Sequence, residues 1–251
     1  MRKCFDIPYG PLETQKIDLW LPQAETFDLY VHMHGGGLET GDRRCQEAFP
    51  RYLTQRGVGL ASVEYRLLPE AAYPAFIEDA AAAAAWVKRN IHAYGRVRRL
   101  FVGGSSAGGY LSMMLCFDRR WLAAHGLSPL DFDGFFHDAG QPTAHYNVLK
   151  SRGFDPLRVI VDASAPLYHV GEDPQYPPMH FVVSDNDMPN RLEQTRLMLS
   201  ALKNFGYDMT KITLELCHGE HTQYYDRLTP EGESVYGEMV CRALEKMSAP
   251  S

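Results

Sequence analysis

The sequence predicts one α/β domain over residues 1–251, with a mostly parallel central sheet and helices on both of its faces. Strand-like apolar runs recur along the chain. Helical patterns lie between most of them, and parallel neighbours require such crossovers of about 12 or more residues. No Gly/Ser linker or block of charge divides the chain. Loops that follow the carboxyl ends of the strands are therefore where we expect functional groups.

The predicted strands are alternating or β-rich apolar runs. They cover Lys16–Leu21, Phe27–Met33, Val58–Tyr65, Leu100–Val102, Phe132–Phe136, His180–Val183 and Ile212–Cys217. The predicted helices carry apolar stripes that recur at three and four residues. They cover Pro74–Asn90, the stretch from Pro189 to Gly206 and about Glu233–Lys246.

Residues 137–178 interrupt this alternation of strands and helices. The segment is long, contains several Pro and Gly, and carries aromatic and imidazole side chains at His145, Tyr146, Tyr168, His169 and Tyr176. Long irregular segments often lie over a site as a lid or pocket wall, and we expect that here. The alternative is a surface excursion without a ligand role.

Charge and composition exclude several classes of function. The formal net charge is −6, with Lys and Arg scattered along the chain, so nucleic acid is not an expected partner. We find no run of about 18 apolar residues, and therefore expect no membrane span. The five cysteines show no CxxC or metal-ligand spacing. They are typical of free thiols in a reducing compartment, and the expected location is the cytoplasm.

Gly104-Ser105-Ser106-Ala107-Gly108 follows an apolar strand and precedes a helical pattern. A nucleophile elbow has this context, in which a serine on a strained turn projects its hydroxyl above the sheet. Ser106 is the predicted nucleophile because it occupies the central position between the two glycines. Ser105 also carries a hydroxyl but is one residue away from that position.

His34-Gly35-Gly36-Gly37 directly follows the strand that ends at Met33. Glycines at a strand end let backbone N–H groups turn toward a substrate oxygen without obstruction by a Cβ. We predict that the N–H groups of Gly36, Gly37 and Ala107 bind the oxyanion of a tetrahedral intermediate.

HGGG upstream of GxSxG resembles the esterase and lipase branch of the α/β-hydrolase fold, that is, the hormone-sensitive-lipase-like and carbohydrate-esterase-like enzymes. The run from Val63 to Glu70, VEYRLLPE, is similar to the DYRLAPE segment of that group, with Glu64 in place of Asp. The similarity covers about residues 5 to 245 in the order of the family. It implies an α/β-hydrolase fold, here with a minimal cap.

The resemblance also implies the chain order serine, acid, histidine. Asp187 aligns with the acid of the family's Gly-x-x-Asp, although Ser184 replaces its Gly, and Asp185 is the alternative. His221 falls at the position of the catalytic histidine, and His218 is the alternative. The predicted catalytic residues are therefore Ser106, Asp187 and His221.

A serine esterase that acts on small carboxylic esters is the function these residues predict. His34, Ser105, Tyr146 and Tyr168 are candidate substrate-binding residues, and an open polar rim of tyrosines and His145 would suit acetylated sugars or aromatic esters. Cleavage of amides, as in arylformamidase-like enzymes, remains open, as does a non-catalytic ligand-binding role. His32 and His34 share a strand face, but no third ligand has convincing spacing, so we expect neither a metal nor another cofactor.

Overall fold

The fold is described from a computed structural model, over residues 1–248. Eight strands form one sheet. They are β1 (Arg2–Pro8), β2 (Lys16–Leu21), β3 (Thr26–Met33), β4 (Val58–Val63), β5 (Arg96–Ser105), β6 (Gly134–Asp138), β7 (Met179–Asn186) and β8 (Ile212–Glu220). Their spatial order is β1-β2-β4-β3-β5-β6-β7-β8. Strand β2 is antiparallel to both of its neighbours, and all the other pairs are parallel. The mostly parallel sheet predicted from the sequence is confirmed.

Helices cover both faces of this sheet. They are α1 (Ala48–Gln55), α2 (Ala75–Asn90), α3 (Ala107–Phe117), α4 (Arg119–Ala123), α5 (Tyr146–Ser151), α6 (Arg191–Asn204) and α7 (Val235–Ser248). Buried residues of α1 and α7 share one hydrophobic cluster, whereas α2, α3 and α6 contribute to another. Along β3, Tyr30 belongs to the first cluster and its neighbours Leu29 and Val31 to the second. Alternate side chains of a strand point to opposite faces, so the sheet separates two cores.

Several elements differ from those predicted. Strand β1 and helices α1, α4 and α5 have no counterpart among the predicted elements. Strand β4 ends two residues earlier than predicted, at Val63, whereas four strands extend further, namely β5 to Ser105, β6 to Asp138, β7 to Asn186 and β8 to Glu220. The extensions of β5 and β7 bring the strand ends next to Ser106 and Asp187.

Residues 137–178 are more ordered than the sequence suggests. The segment begins with the end of β6, includes helix α5, and contains a short 3₁₀ turn at Pro166–His169. Most residues from 138 to 149 are buried. Within residues 1–248, no helix is both long enough and apolar enough to cross a membrane.

Candidate active site

Ser106 lies on the sharp turn between β5 and α3. Its backbone has φ 56° and ψ −112°, a conformation that non-glycine residues rarely adopt and that stores strain. The N–H of Ser106 donates a 2.8 Å hydrogen bond to the carbonyl oxygen of Asp138, at the end of the adjacent strand β6. This bond helps hold the strained turn in place.

The glycines on either side of Ser106 are required by close backbone packing. A Cβ added to Gly104 would lie 2.6 Å from the carbonyl carbon of Gly108. One added to Gly108 would lie 2.5 Å from the carbonyl carbon of Met33. Real Cβ atoms do not approach backbone so closely, so the turn can bring Ser106 against the end of β3 only with glycine at both positions.

Ser106, His221 and Asp187 form one continuous hydrogen-bonded chain. Nε2 of His221 lies 2.8 Å from the Oγ of Ser106, and Nδ1 lies 2.6 Å from Oδ1 of Asp187. A neutral imidazole in this position accepts from the hydroxyl and donates to the carboxylate. The arrangement can remove a proton from the serine while the resulting positive charge is stabilised.

Asp187 is almost completely enclosed, with 1% of its side chain exposed. Its carboxylate also accepts hydrogen bonds from the backbone N–H groups of Met188, at 2.7 Å, and Ser184, at 3.3 Å. Burial alone would raise the pKa of Asp187, but the hydrogen bond and charge of His221 hold this pKa below its ordinary value. Asp187 is therefore placed to remain ionised beside the imidazole.

The alternative pair, Asp185 and His218, lies elsewhere. Nδ1 of His218 is 2.7 Å from Oδ2 of Asp185, and the side chain of His218 is 98% exposed. The same carboxylate accepts from the N–H of Gly219 at 2.9 Å. The two pairs are thus separate, and it is the pair Asp187 and His221 that contacts Ser106.

The glycine loop after β3 lies directly beside the serine. A Cβ on Gly35 would be 3.4 Å from the Cβ of Ser106. Gly36 and Gly37 have φ of 108° and 66°, values that favour glycine, and within residues 1–248 their N–H groups have no backbone acceptor. Ala107 is the first residue of α3, so its N–H also has no acceptor within the helix. Three free donors are therefore available near Ser106, as an oxyanion requires.

His34 supports this loop from below. Its Nδ1 donates a 2.7 Å hydrogen bond to the carbonyl oxygen of Gly35, and its ring stacks on Tyr65 with centroids 4.3 Å apart. Nε2 lies 3.4 Å from Oε1 of Glu64, the residue at the position of the family's Asp. Burial would raise the pKa of Glu64, but His34 and Arg43 together keep it below its ordinary value. Glu64 is therefore held as an anion beside His34 and Arg43, next to the glycine loop.

An open cavity of about 600 Å³ lies over these groups. Ser106, His221 and the glycines of the loop line it, together with Ser105, His34 and Tyr146. The predicted tyrosine rim is only partly present: Tyr146 lines the cavity, whereas Tyr168 does not and is 56% exposed elsewhere. His145 and Tyr176 are buried and form no part of a rim, because they pack in the core beneath the surface.

Asp138 is a buried group near the site and is not among the site residues predicted from the sequence. Its carboxylate accepts a short hydrogen bond from the hydroxyl of Tyr224, and its second oxygen has no protein partner within residues 1–248. Burial raises the pKa of Asp138 from 3.8 to about 6. Its position at a strand end, directly after Phe136 and His137, was the available signal, since the predicted strand stopped two residues too early.

One group of potential metal ligands occurs among residues 1–248, formed by Asp118, His169 and Glu172. Both carboxylate oxygens of Asp118 accept from the guanidinium of Arg120, at 2.8 and 2.7 Å. None of the three ligands lines the cavity above Ser106. The carboxylate of Asp118 is therefore already paired with Arg120, and the group is not part of the candidate active site.

A parallel sheet that presents a strained serine, an imidazole and a carboxylate at its carboxyl edge defines the α/β-hydrolase class. The chain belongs to this family: the model of the alpha/beta hydrolase fold matches residues 30–214.

Curated relatives match shorter segments. Esterase LipI of Mycobacterium tuberculosis is 39% identical over 119 residues, which are 44% of this chain and 35% of LipI. The acetyl esterase of Salmonella schwarzengrund is 29% identical over 42% of this chain and 32% of its own length.

The matched segments thus span about a third of these relatives. Solved structures resemble the chain over nearly all of its length. A truncated carbohydrate esterase from gut microbiota has a TM-score of 0.78 and 18% identity, with 99% of this chain and 97% of that one covered. Esterase B from Lactobacillus rhamnosis has a TM-score of 0.74 and 21% identity, with 98% and 86% covered. At these identities the likeness shows the fold.

Proposed function

We propose that this chain hydrolyses small carboxylic esters through an acyl-enzyme on Ser106. The observation that carries the proposal is the hydrogen-bonded chain from Ser106 through His221 to Asp187, at the base of an open cavity. Relatives named esterase and acetyl esterase support the same reaction class.

In the proposed mechanism His221 takes the proton of Ser106 as the hydroxyl attacks the ester carbonyl. The carbonyl oxygen becomes an anion and is stabilised by the N–H groups of Gly36, Gly37 and Ala107. His221 then gives the proton to the leaving alcohol, and the acyl group stays on Ser106. Water, activated by the same imidazole, releases the acid and restores the serine. Asp187 acts through His221 as a positioning residue that fixes the tautomer of the ring.

The proposed substrates are short-acyl esters, including acetylated carbohydrates or aromatic esters. An open cavity with mixed polar and apolar lining suits a small acyl group and a polar alcohol better than a long lipid chain. We further propose that residues 137–178 act as a wall of this cavity within a single domain. Tyr146 and the hydrogen bond from Asn147 to Gly37 support that role.

A series of p-nitrophenyl esters from acetate to laurate tests the proposal. We expect the highest kcat/KM for the shortest acyl chains and loss of turnover in Ser106→Ala, with Ser200→Ala, at an exposed position of α6, as the matched control that retains activity. Highest turnover on laurate would reject the short-acyl assignment. A matched aryl formamide hydrolysed faster than the corresponding ester would favour amide cleavage, and turnover unchanged in Ser106→Ala would reject the mechanism.

A further inference from the structure

A second cavity, of about 490 Å³, adjoins the one above Ser106. The two cavities share Tyr146 and Met188 in their linings, so they are neighbours on either side of these two side chains. It lies between the segment at 156–159 and the start of α6. Its lining contains two arginines, Arg158 and Arg191, and no acidic residue.

Arg191 is a buried cation in this lining, with only 3% of the residue exposed. Within residues 1–248 no carboxylate lies within 4.0 Å of its guanidinium. Two contacts are present: Nη1 donates a short hydrogen bond to the carbonyl oxygen of Ala139, and Nη2 lies 3.7 Å from the sulfur of Met188. An arginine has five N–H donors. The other N–H donors of Arg191 have no protein acceptor within residues 1–248, so they are available to a ligand in the cavity.

Gln194 presents a second set of donors. Nε2 of Gln141 donates to Oγ1 of Thr143 at 3.1 Å, and that hydroxyl donates to Oε1 of Gln194 at 3.0 Å. This relay fixes the amide of Gln194 with its oxygen turned toward Thr143. The Nε2 of Gln194 has no acceptor within residues 1–248, although the residue is only 7% exposed. The lining thus offers donors from two buried side chains.

Helix α6 adds the positive end of its dipole. It has 14 residues and starts at Arg191, and its N-cap residue Asn190 makes no side-chain capping hydrogen bond. The N–H of Arg191 already donates to the carbonyl oxygen of Met188 at 3.0 Å, so the free N–H groups of the first turn are those of the next two residues, and the helix dipole attracts anions to them. Asp187, the nearest buried carboxylate before the helix, already accepts from His221, Ser184 and Met188. The charges of Asp187 and Asp138 act on Arg191 from a distance, and Glu193 lies in the first turn of α6, but within residues 1–248 no carboxylate makes a direct ion pair with the guanidinium.

We propose that this second cavity binds an anionic oxygen group, such as a carboxylate, carried by the ester substrate. The inference rests on the proposed esterase function and adds a specificity determinant to it. Arg191 would donate to the anion in a charge-assisted hydrogen bond, and Gln194 and the first turn of α6 would donate alongside it. Tyr146 and Met188 separate the anion from the reacting carbonyl. Substrates with a free carboxylate, that is, hemiesters of dicarboxylic acids or esters of hydroxy acids, are then preferred over neutral esters.

Two substrate pairs test the proposal, one for each side of the ester. Monomethyl glutarate is compared with dimethyl glutarate, and 3-acetoxypropanoate with its methyl ester. A hydrogen bond to a charged group contributes about 1.5–3 kcal/mol. We therefore expect kcat/KM to favour the anionic member of at least one pair by about tenfold or more. Equal or lower kcat/KM for both anionic members would overturn the proposal.

Arg191→Met is the decisive variant, and Arg196→Met, on the exposed side of the same helix, is its matched control. We expect the anionic-to-neutral ratio to fall at least about fivefold in Arg191→Met and to stay the same in Arg196→Met. An unchanged ratio in Arg191→Met would contradict the proposal. If that variant unfolds, Gln194→Met removes a donor of the same cavity and should lower the ratio in the same direction.

A binding measurement separates this inference from the esterase proposal. Glutarate is titrated into the Ser106→Ala variant in a calorimeter. This measurement of binding does not require hydrolysis. Binding that is lost in Ser106→Ala/Arg191→Met supports the anion site even if no ester is turned over. Absence of binding, together with turnover of neutral esters by the wild type, rejects the anion site and leaves the esterase proposal standing.

Discussion

The side-chain amide of Asn147 donates a 2.7 Å hydrogen bond to the carbonyl oxygen of Gly37. This bond joins α5 to the glycine loop, although the two residues are 110 positions apart. A Cβ on Gly37 would also lie 2.6 Å from the hydroxyl of Tyr146. The first turn of α5 therefore contacts the loop whose N–H groups we propose to bind the oxyanion.

Replacement of Asn147 by alanine should loosen this loop. We expect kcat on p-nitrophenyl acetate to fall about tenfold, with a smaller change in KM, because misplaced donors lose more stabilisation of the transition state than of bound substrate. Lys150 lies on the same helix as Asn147, and Lys150→Ala removes only its exposed ion pair with Glu39. This variant should change kcat less than about twofold. Equal effects of the two variants would contradict the role of Asn147.

The two Asp–His pairs at the ends of β7 and β8 allow a matched comparison. Asp187→Asn should lower kcat by about 10³- to 10⁴-fold, because the imidazole loses the partner that fixes its tautomer. Asp185→Asn removes the equivalent partner of the exposed His218 and should leave kcat within about twofold, since that pair does not contact Ser106. Steady-state kinetics with p-nitrophenyl acetate measures both. A large loss in Asp185→Asn with little loss in Asp187→Asn would reverse the assignment.

The ionisation of Asp138 should make the free energy of unfolding depend on pH, and Asp138→Asn should remove this part of the pH dependence. Burial raises its pKa from 3.8 to about 6, so the folded state holds the proton more tightly than the unfolded state does. Its stabilising contribution is complete below pH 3.8 and is lost as the pH rises through about 6. Asparagine keeps an acceptor for Tyr224 without this ionisation. The free energy of unfolding of the variant, relative to wild type, should rise by about 2 kcal/mol from about pH 4 to 7.

Urea unfolding at several pH values measures this difference. A difference between variant and wild type that stays constant with pH would show that Asp138 titrates normally, contrary to its enclosed position.

Three buried histidines should make the fold sensitive to mild acid. Burial lowers the pKa of His32, His137 and His145 to about 3, whereas unfolded histidine titrates near 6.5. The unfolded state therefore takes up protons first, and stability present above pH 6.5 is lost as the pH falls. On unfolding in this range the three histidines take up about three protons and Asp138 releases about one. The free energy of unfolding should therefore fall by about 3 kcal/mol per pH unit between about pH 6 and 5.

His32→Gln should reduce this slope by about 1 kcal/mol per pH unit, because one proton fewer is taken up on unfolding. The exposed His92 provides the control, and His92→Gln should leave the slope unchanged. Identical slopes in both variants would indicate that His32 is accessible to protons in the folded state.

The order of strands and helices and the serine turn could be predicted because each has a local pattern. Strand β1 was missed because a register shift between Cys4 and Ile7 interrupts its alternation, with Asp6 at a positive φ. Helix α1 was missed because it has only eight residues and contains Pro50. Both elements depend on contacts with the rest of the sheet more than on their own sequence.

Side chains whose role depends on burial could not be predicted. Asp185 and Asp187 both precede a helix and both meet a histidine, since β7 and β8 are adjacent and parallel. Only the positions where the two strands end decide which pair reaches Ser106. Likewise, no local pattern marks Asp138 or Arg191 as enclosed, because charged residues are usually exposed and their burial depends on distant segments.

Covalent labelling with a fluorophosphonate probe examines Ser106 itself, because the probe reacts with an activated serine and mass spectrometry locates the adduct. We expect one stoichiometric adduct on Ser106, loss of labelling in Ser106→Ala, and greatly slowed labelling in His221→Ala but not in His218→Ala. Labelling that persists in Ser106→Ala, or proceeds at an unchanged rate in His221→Ala, would contradict this expectation.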